Sequence, residues 1–261
     1  MDRSATWIRG WAVVRVALAA LIAAAVVRQL LASITTTLEL GRDLPTVLTN
    51  FFSFFTILSN VIACVVLAWA GVAGLRAGDP RRREPVGLAT ALVCASTYMI
   101  LTGLVYNALL RSIELPQGSQ PVWWSNEVLH LVGPLALLLD LFLGPRRRAL
   151  EWRTVAIVVV FPVLWVAYTL VRGPLVVNPA TGDPSWYPYP FLDPGGPGGW
   201  PTVAVYVVAI SLAFLAVGAG AVWVGRRRNG GRHTSSSPDP ASPNSSSENS
   251  SPQNSSPQNS S

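Results

Sequence analysis

Val47-Leu48-Thr49-Asn50-Phe51-Phe52-Ser53-Phe54-Phe55-Thr56-Ile57-Leu58-Ser59-Asn60-Val61-Ile62-Ala63-Cys64-Val65-Val66-Leu67-Ala68-Trp69-Ala70 contains no charged side chain. A helix that crosses a bilayer needs about 20 mostly apolar residues, and this stretch is long enough. Five more of the same kind surround it. They run from Trp11 to Ile34, Val86 to Leu110, Trp123 to Leu143, Thr154 to Val171 and Trp200 to Val224. Segments 71–85 and 144–153 are short polar connectors, and 173–199 is a longer loop rich in Pro and Gly. The expected fold is all-α: a polytopic membrane protein with a bundle of six transmembrane helices in residues 1–228.

Composition agrees. The 261 residues are 51% hydrophobic and 12% charged, whereas charged residues make up about a quarter of a soluble domain. The first segment is longer than the apolar core of a signal peptide, so it reads as a span. Residues 229–261 repeat Ser, Pro, Asn and Gln, a composition that buries no apolar surface and predicts a disordered tail.

The net charge of +6 does not indicate nucleic acid. The arginines stand in short groups just outside the apolar segments, where they orient a membrane protein. One set of loops and termini holds Arg3, Arg9, Arg76, Arg81, Arg82, Arg83, Arg146, Arg147, Arg148, Arg153, Arg226, Arg227, Arg228 and Arg232, and the other holds Arg42, Arg111 and Arg172. Fourteen against three predicts that both termini are cytoplasmic and that the chain sits in the plasma membrane. Cys64 and Cys94 both lie inside apolar segments and suggest neither a disulfide framework nor a metal site. No metal or organic cofactor is implied.

Two residues interrupt the apolar pattern with chemistry. His130 is an ionisable ring inside the fourth segment, and such a residue marks a functional site by default. Thr56 in the second segment carries a hydroxyl that becomes a nucleophile once a base takes its proton. Counting 1.5 Å per residue from the segment ends puts Thr56 ~13 Å deep and His130 ~10 Å deep, measured from the same face. The two therefore meet if their helices are neighbours. Ser59 and Asn60 share the face of Thr56, and Asn126 shares that of His130 and can fix its tautomer. The alternative for Thr56 is a purely structural hydroxyl bonded within or between helices. Arg28, ~9 Å deep in the first helix, either snorkels outward or faces inward to hold an acidic ligand group. Asp140 lies near the cytoplasmic end and is expected to pair with the triplet Arg146-Arg147-Arg148. Phe51 to Phe55 read as lipid-facing and packing surface. The outer loop is either a lid or a rigid aromatic interfacial segment, and in it Tyr189 is a candidate hydrogen-bond donor.

These residues resemble the androgen-induced and androgen-dependent-regulator family of multi-pass membrane proteins and its bacterial relatives. The family's Phe-x-Thr looks like Phe54-Phe55-Thr56. Its Asn-x-x-x-His-x-x-x-Pro looks like Asn126 to Pro134 around His130. Its Tyr-Pro-Phe-Leu looks like Tyr189-Pro190-Phe191-Leu192, and a Gly-Pro-Gly follows at Gly196-Pro197-Gly198. The resemblance implies a threonine hydrolase of fatty acyl esters, with Thr56 as nucleophile, His130 as base and a lipid ester as substrate. The sequence departs from the family at Ser59, where an acidic residue is expected, and in the first helix and tail. The competing expectation is a membrane protein that binds or transports a small apolar or amphipathic molecule without turning it over.

Overall fold

The computed structural model describes residues 3–79, 82–116 and 119–230. Of the expected tail, residues 229 and 230 continue the last helix, and the rest lies outside the described residues. Six helices are long and apolar enough to cross a membrane, which makes this a multi-pass membrane protein. The described residues fold as an all-α bundle. Its elements are α1 (Arg3–Glu39), α2 (Leu44–Phe51), α3 (Phe55–Leu75), α4 (Val86–Val105), α5 (Trp123–Glu127), α6 (Gly133–Leu143), α7 (Thr154–Arg172) and α8 (Gly199–Gly230). A π-helical turn, Tyr106–Leu110, extends α4, and another, Val128–Val132, joins α5 to α6 into one span.

α4 is the central helix: it packs against α3, α6, α7 and α8, while α1 lies along α3. Helices in a bilayer approach closely where side chains are small. At Gly71 of α3 a Cβ atom would come within 2.6 Å of the Val16 side chain, and at Gly74 within 2.8 Å of Ala12. These glycines let α1 and α3 meet backbone to backbone.

The second span differs from expectation. It does not run unbroken from Val47. The chain forms α2, opens at Phe52-Ser53-Phe54, and starts α3 at Phe55. No Gly or Pro causes the break. Trp165 Nε1 donates to the Ser53 carbonyl at 2.9 Å, and the Ser53 hydroxyl lies 3.0 Å from that of Tyr168. Both partners come from α7, so tertiary contacts override a locally helical sequence. The Phe run divides between packing and outward-facing surface, as expected. Phe51, Phe54 and Phe55 are buried, and only Phe52 faces outward among them. Phe55 sits in an aromatic cluster with Trp165, Phe161 and Phe214 at centroid distances of 5.1 to 5.5 Å.

At the opposite end of the bundle Asp140 is buried with three partners. It pairs with Arg147, as expected of the triplet, and accepts from Trp11 Nε1. Arg15 of α1 also donates to it at 2.7 Å, and to Glu84 at 2.9 Å. Arg15 and Glu84 did not stand out in the sequence. Together these groups clamp α1 to the α3–α4 connector and to the end of α6.

Candidate functional site

Thr56 is the second residue of α3. The first backbone N–H groups of any helix lack intrahelical partners. The capping position here is Phe54, whose side chain accepts nothing. Loop 173–199 supplies the missing group. It folds back over the bundle, burying Trp186, Tyr187, Tyr189 and Leu192, and the Tyr189 hydroxyl accepts from the Thr56 N–H at 3.2 Å. The same hydroxyl lies 3.2 Å from Thr56 Oγ1. Phe54 and Trp165 hold the Tyr189 ring edge-on at 5.6 and 5.8 Å. Burial pushes the Tyr189 phenol up from its ordinary value, so it keeps its proton at neutral pH.

His130 sits in the π turn, and the sequence explains why. Pro134 has no N–H, so the His130 carbonyl four residues earlier loses its helical partner. The Gly133 N–H reaches back to Val128, which leaves the Leu129 carbonyl free as well. Backbone groups at membrane depth must be satisfied internally. Asn107 Nδ2 donates to the His130 carbonyl at 3.0 Å, and Asn60 Nδ2 to the Leu129 carbonyl at 3.2 Å. π turns of this kind occur often at functional sites.

The imidazole is buried, 7% exposed, and its two nitrogens face different partners. Nδ1 lies 3.0 Å from the Asn126 carbonyl oxygen. A carbonyl only accepts, so in the neutral ring Nδ1 carries the proton. Nε2 then presents a lone pair to Thr56 Oγ1, 3.3 Å away. Asn126 thus fixes the tautomer as expected, but through its backbone; its side chain donates to the Tyr106 hydroxyl at 2.8 Å. Tyr106 stacks on the imidazole, with centroids 3.6 Å apart and planes 19° apart. Gly103 of α4 makes this approach possible: a Cβ there would stand 2.7 Å from Pro134 and 3.2 Å from the His130 carbonyl.

The structure therefore brings Thr56, His130, Asn126 and Tyr189 together. Ser59 and Asn60 join them as supports of the backbone. The Ser59 hydroxyl donates to the Thr56 carbonyl at 3.0 Å and lies 2.9 Å from that of Thr102. Asn60 Nδ2 donates to the Thr56 carbonyl at 2.9 Å, and through its bond to the Leu129 carbonyl it ties α3 to the π turn. Arg28 is placed differently. It lies on an exposed face of α1, while its neighbour Gln29 lines a small space of about 20 Å³ between Thr56 and His130. Tyr106 escaped sequence reasoning, because an aromatic at a helix end carries no signal of its own. The π turn was legible in principle: a proline four residues after a buried histidine releases that histidine's carbonyl.

On its other side Thr56 opens into a cavity of about 280 Å³ between α4, α7 and α8. Leu101, Val159, Val166, Val207 and Phe214 line it, and Thr56, Tyr106 and Tyr189 stand at its polar end. An apolar cavity of about 150 Å³ already admits benzene. Val163 and Leu215 line the cavity and are also exposed, so it communicates with the apolar surface of the bundle. Pro162 in α7 frees the Val158 carbonyl, and the Tyr98 hydroxyl donates to it at 3.0 Å.

Compared with family models, curated proteins and solved structures, the chain matches none of them.

Proposed function

We propose that the protein is a membrane hydrolase of lipid-like esters, with Thr56 as nucleophile and His130 as base and then acid. The observation that carries the reading is the tautomer. Nδ1–H is held by a carbonyl, so the free lone pair of Nε2 faces a hydroxyl that adjoins an apolar cavity. The acyl chain would lie in the cavity with its carbonyl at Thr56. Thr56 Oγ1 forms a bond to the acyl carbon while its proton passes to Nε2. The oxyanion finds the Tyr189 hydroxyl and the first N–H groups of α3, where the helix dipole also favours negative charge. Nε2 then returns the proton to the departing alcohol oxygen as the acyl–oxygen bond breaks. Water, activated by the same nitrogen, releases the acid and restores Thr56.

Two neighbours fit the imidazolium that this sequence forms. The Asn126 carbonyl accepts from Nδ1–H in both charge states. The face of Tyr106 stabilises a cation above it. Neither is a carboxylate, so the site runs without the acid of a full triad. The resemblance to the androgen-dependent-regulator family supports the same pair. The arginine distribution supports a plasma-membrane setting, with cytoplasmic termini and the site toward the outer face.

The test is activity of the purified full chain on acyl esters, with covalent labelling by a fluorophosphonate. Thr56→Ala is expected to abolish both, and His130→Ala to lose nearly as much. The double variant should be little worse than either, because groups that act as one unit are not additive. Substantial hydrolysis by well-expressed Thr56→Ala rejects the threonine mechanism. It would leave a binding or transport role for the apolar cavity in front.

A further inference from the structure

The apolar cavity beside Thr56 is closed at one end and open at its side. Loop 173–199 closes the end next to Thr56. Phe191 stacks on Tyr189, with centroids 5.3 Å apart, and packs on Tyr206 of α8 at 5.4 Å. Leu192 beside them is buried and also lines the cavity. The side is different. Val163 of α7 is 57% exposed and Leu215 of α8 is 42% exposed, although both line the cavity. At 1.5 Å per residue, Val163 stands ~14 Å along α7 from Thr154, and Leu215 ~24 Å along α8 from Gly199. Each is near the middle of its span. The gap between them therefore faces the hydrocarbon core of a bilayer, not water.

Resting on the esterase reading above, we infer that this gap is a port to the membrane. The acyl chain enters through it sideways from the bilayer, and the end of a long chain stays in lipid during the reaction. The substrates are then membrane-resident esters of long-chain acids, with no upper limit on chain length.

Length decides this. From Tyr106, beside the catalytic pair, the lining on α4 ends at Leu101, ~8 Å further in. On α8 the lining runs ~12 Å from Val207 to Leu215. A lipid chain spans one leaflet, ~15 Å of a hydrocarbon core about 30 Å thick. Such a chain, with its carbonyl at Thr56, runs past the end of the cavity. A closed pocket would have to fold it or reject it. The gap at Val163 and Leu215 instead leaves its end in apolar surroundings. The way in fits as well. A chain that passes from lipid into an apolar cavity is never exposed to water, so its entry meets no hydrophobic cost. The route past the loop is shut by Tyr189, Phe191 and Leu192.

The experiment uses the purified full chain in phosphatidylcholine vesicles. The substrates are esters of one alcohol with acyl chains from butanoyl to octadecanoyl, and kcat/KM is expressed on mole fraction in the bilayer. In the wild-type chain kcat/KM is expected to rise with chain length and then stay level to octadecanoyl. Val163→Trp and Leu215→Trp narrow the gap. Each should lower kcat/KM for the octadecanoyl ester about tenfold and hold that for the butanoyl ester within about twofold. Leu164→Trp and Leu212→Trp, at exposed neighbours that do not line the cavity, should keep the wild-type profile. A fall beyond medium chains in the wild-type chain describes a closed pocket and overturns the inference, whether or not the variants fold. Unchanged use of the octadecanoyl ester by both narrowed variants overturns it too. So does an equal loss on both esters in variants whose Thr56 still takes the fluorophosphonate. These results leave the esterase standing. Hydrolysis of no ester, with Thr56 unlabelled, overturns the esterase reading itself and this inference with it.

Discussion

At Thr56 the Tyr189 hydroxyl meets both the backbone N–H and the side-chain hydroxyl oxygen at 3.2 Å. One atom thus completes the start of α3 and stands where the proposed mechanism puts the oxyanion. The two roles predict different losses in Tyr189→Phe. As a cap its removal costs about 1 kcal/mol of stability. As an oxyanion donor it costs about 10²-fold in kcat with little change in KM. Both losses are expected, read by steady-state kinetics and by thermal unfolding in detergent. Lowered stability with kcat intact would remove Tyr189 from the chemistry. Thr56 and His130 could be picked out of the sequence because polar groups are rare in apolar segments, whereas Tyr189 comes forward only as a candidate donor in the outer loop and as part of a motif that resembles the family's. Tyr106 and Arg15 could not be picked out. A tyrosine at a helix end and an arginine near a helix start look the same whether they are buried or bathed in solvent.

Between elements, the distance from Nε2 to Thr56 depends on how closely α4 approaches the π turn, and Gly103 sets that approach. A Cβ at 2.7 Å from the rigid Pro134 ring cannot be accommodated without a shift. Gly103→Ala should therefore move His130 by a few tenths of an ångström. Misplacing a catalytic group by about 1 Å can cost 10²-fold, so a loss of about tenfold in kcat is expected. Bulkier residues at this position should lose more, in order of volume. Activity that does not change with side-chain size would mean the π turn is not tied to α4. The same scale shows where sequence reading stops. All six spans could be read from apolar length alone. The break before Thr56 could not, because what makes it is Trp165 and Tyr168, more than a hundred residues further along the chain. Local sequence from Phe51 to Phe55 carries no breaker.

The whole molecule has two ends of opposite character. One holds Thr56, His130 and the covering loop; the other holds the arginine groups and the Asp140 cluster. If the second end is cytoplasmic, reporter fusions at Gly78 and at the C-terminus read inside, and one at Gly182 reads outside. A fusion active outside at Gly78 would invert the bundle and place the site on the cytoplasmic face. Within the cluster, Asp140→Ala leaves buried arginines without their shared acid, and loss of one partner of a buried pair costs about 3–5 kcal/mol. Thermal unfolding in detergent should show this loss, and little change would mean that water reaches the cluster.

That cluster also bears on how the chain is made. Arg15, in α1, is translated before its acid partners. Its acid partners lie 69 and 125 residues later. An unpaired arginine costs about 3 kcal/mol at the centre of a span on insertion scales, and less toward the end of one, where Arg15 lies. The first helix should therefore linger beside the insertion machinery until Glu84, and then Asp140, have been translated. Nascent chains halted before residue 84 are expected to crosslink through α1 to that machinery, and chains halted after the sixth span to have released it. An Arg15→Leu chain, with nothing to wait for, should let go of the machinery early.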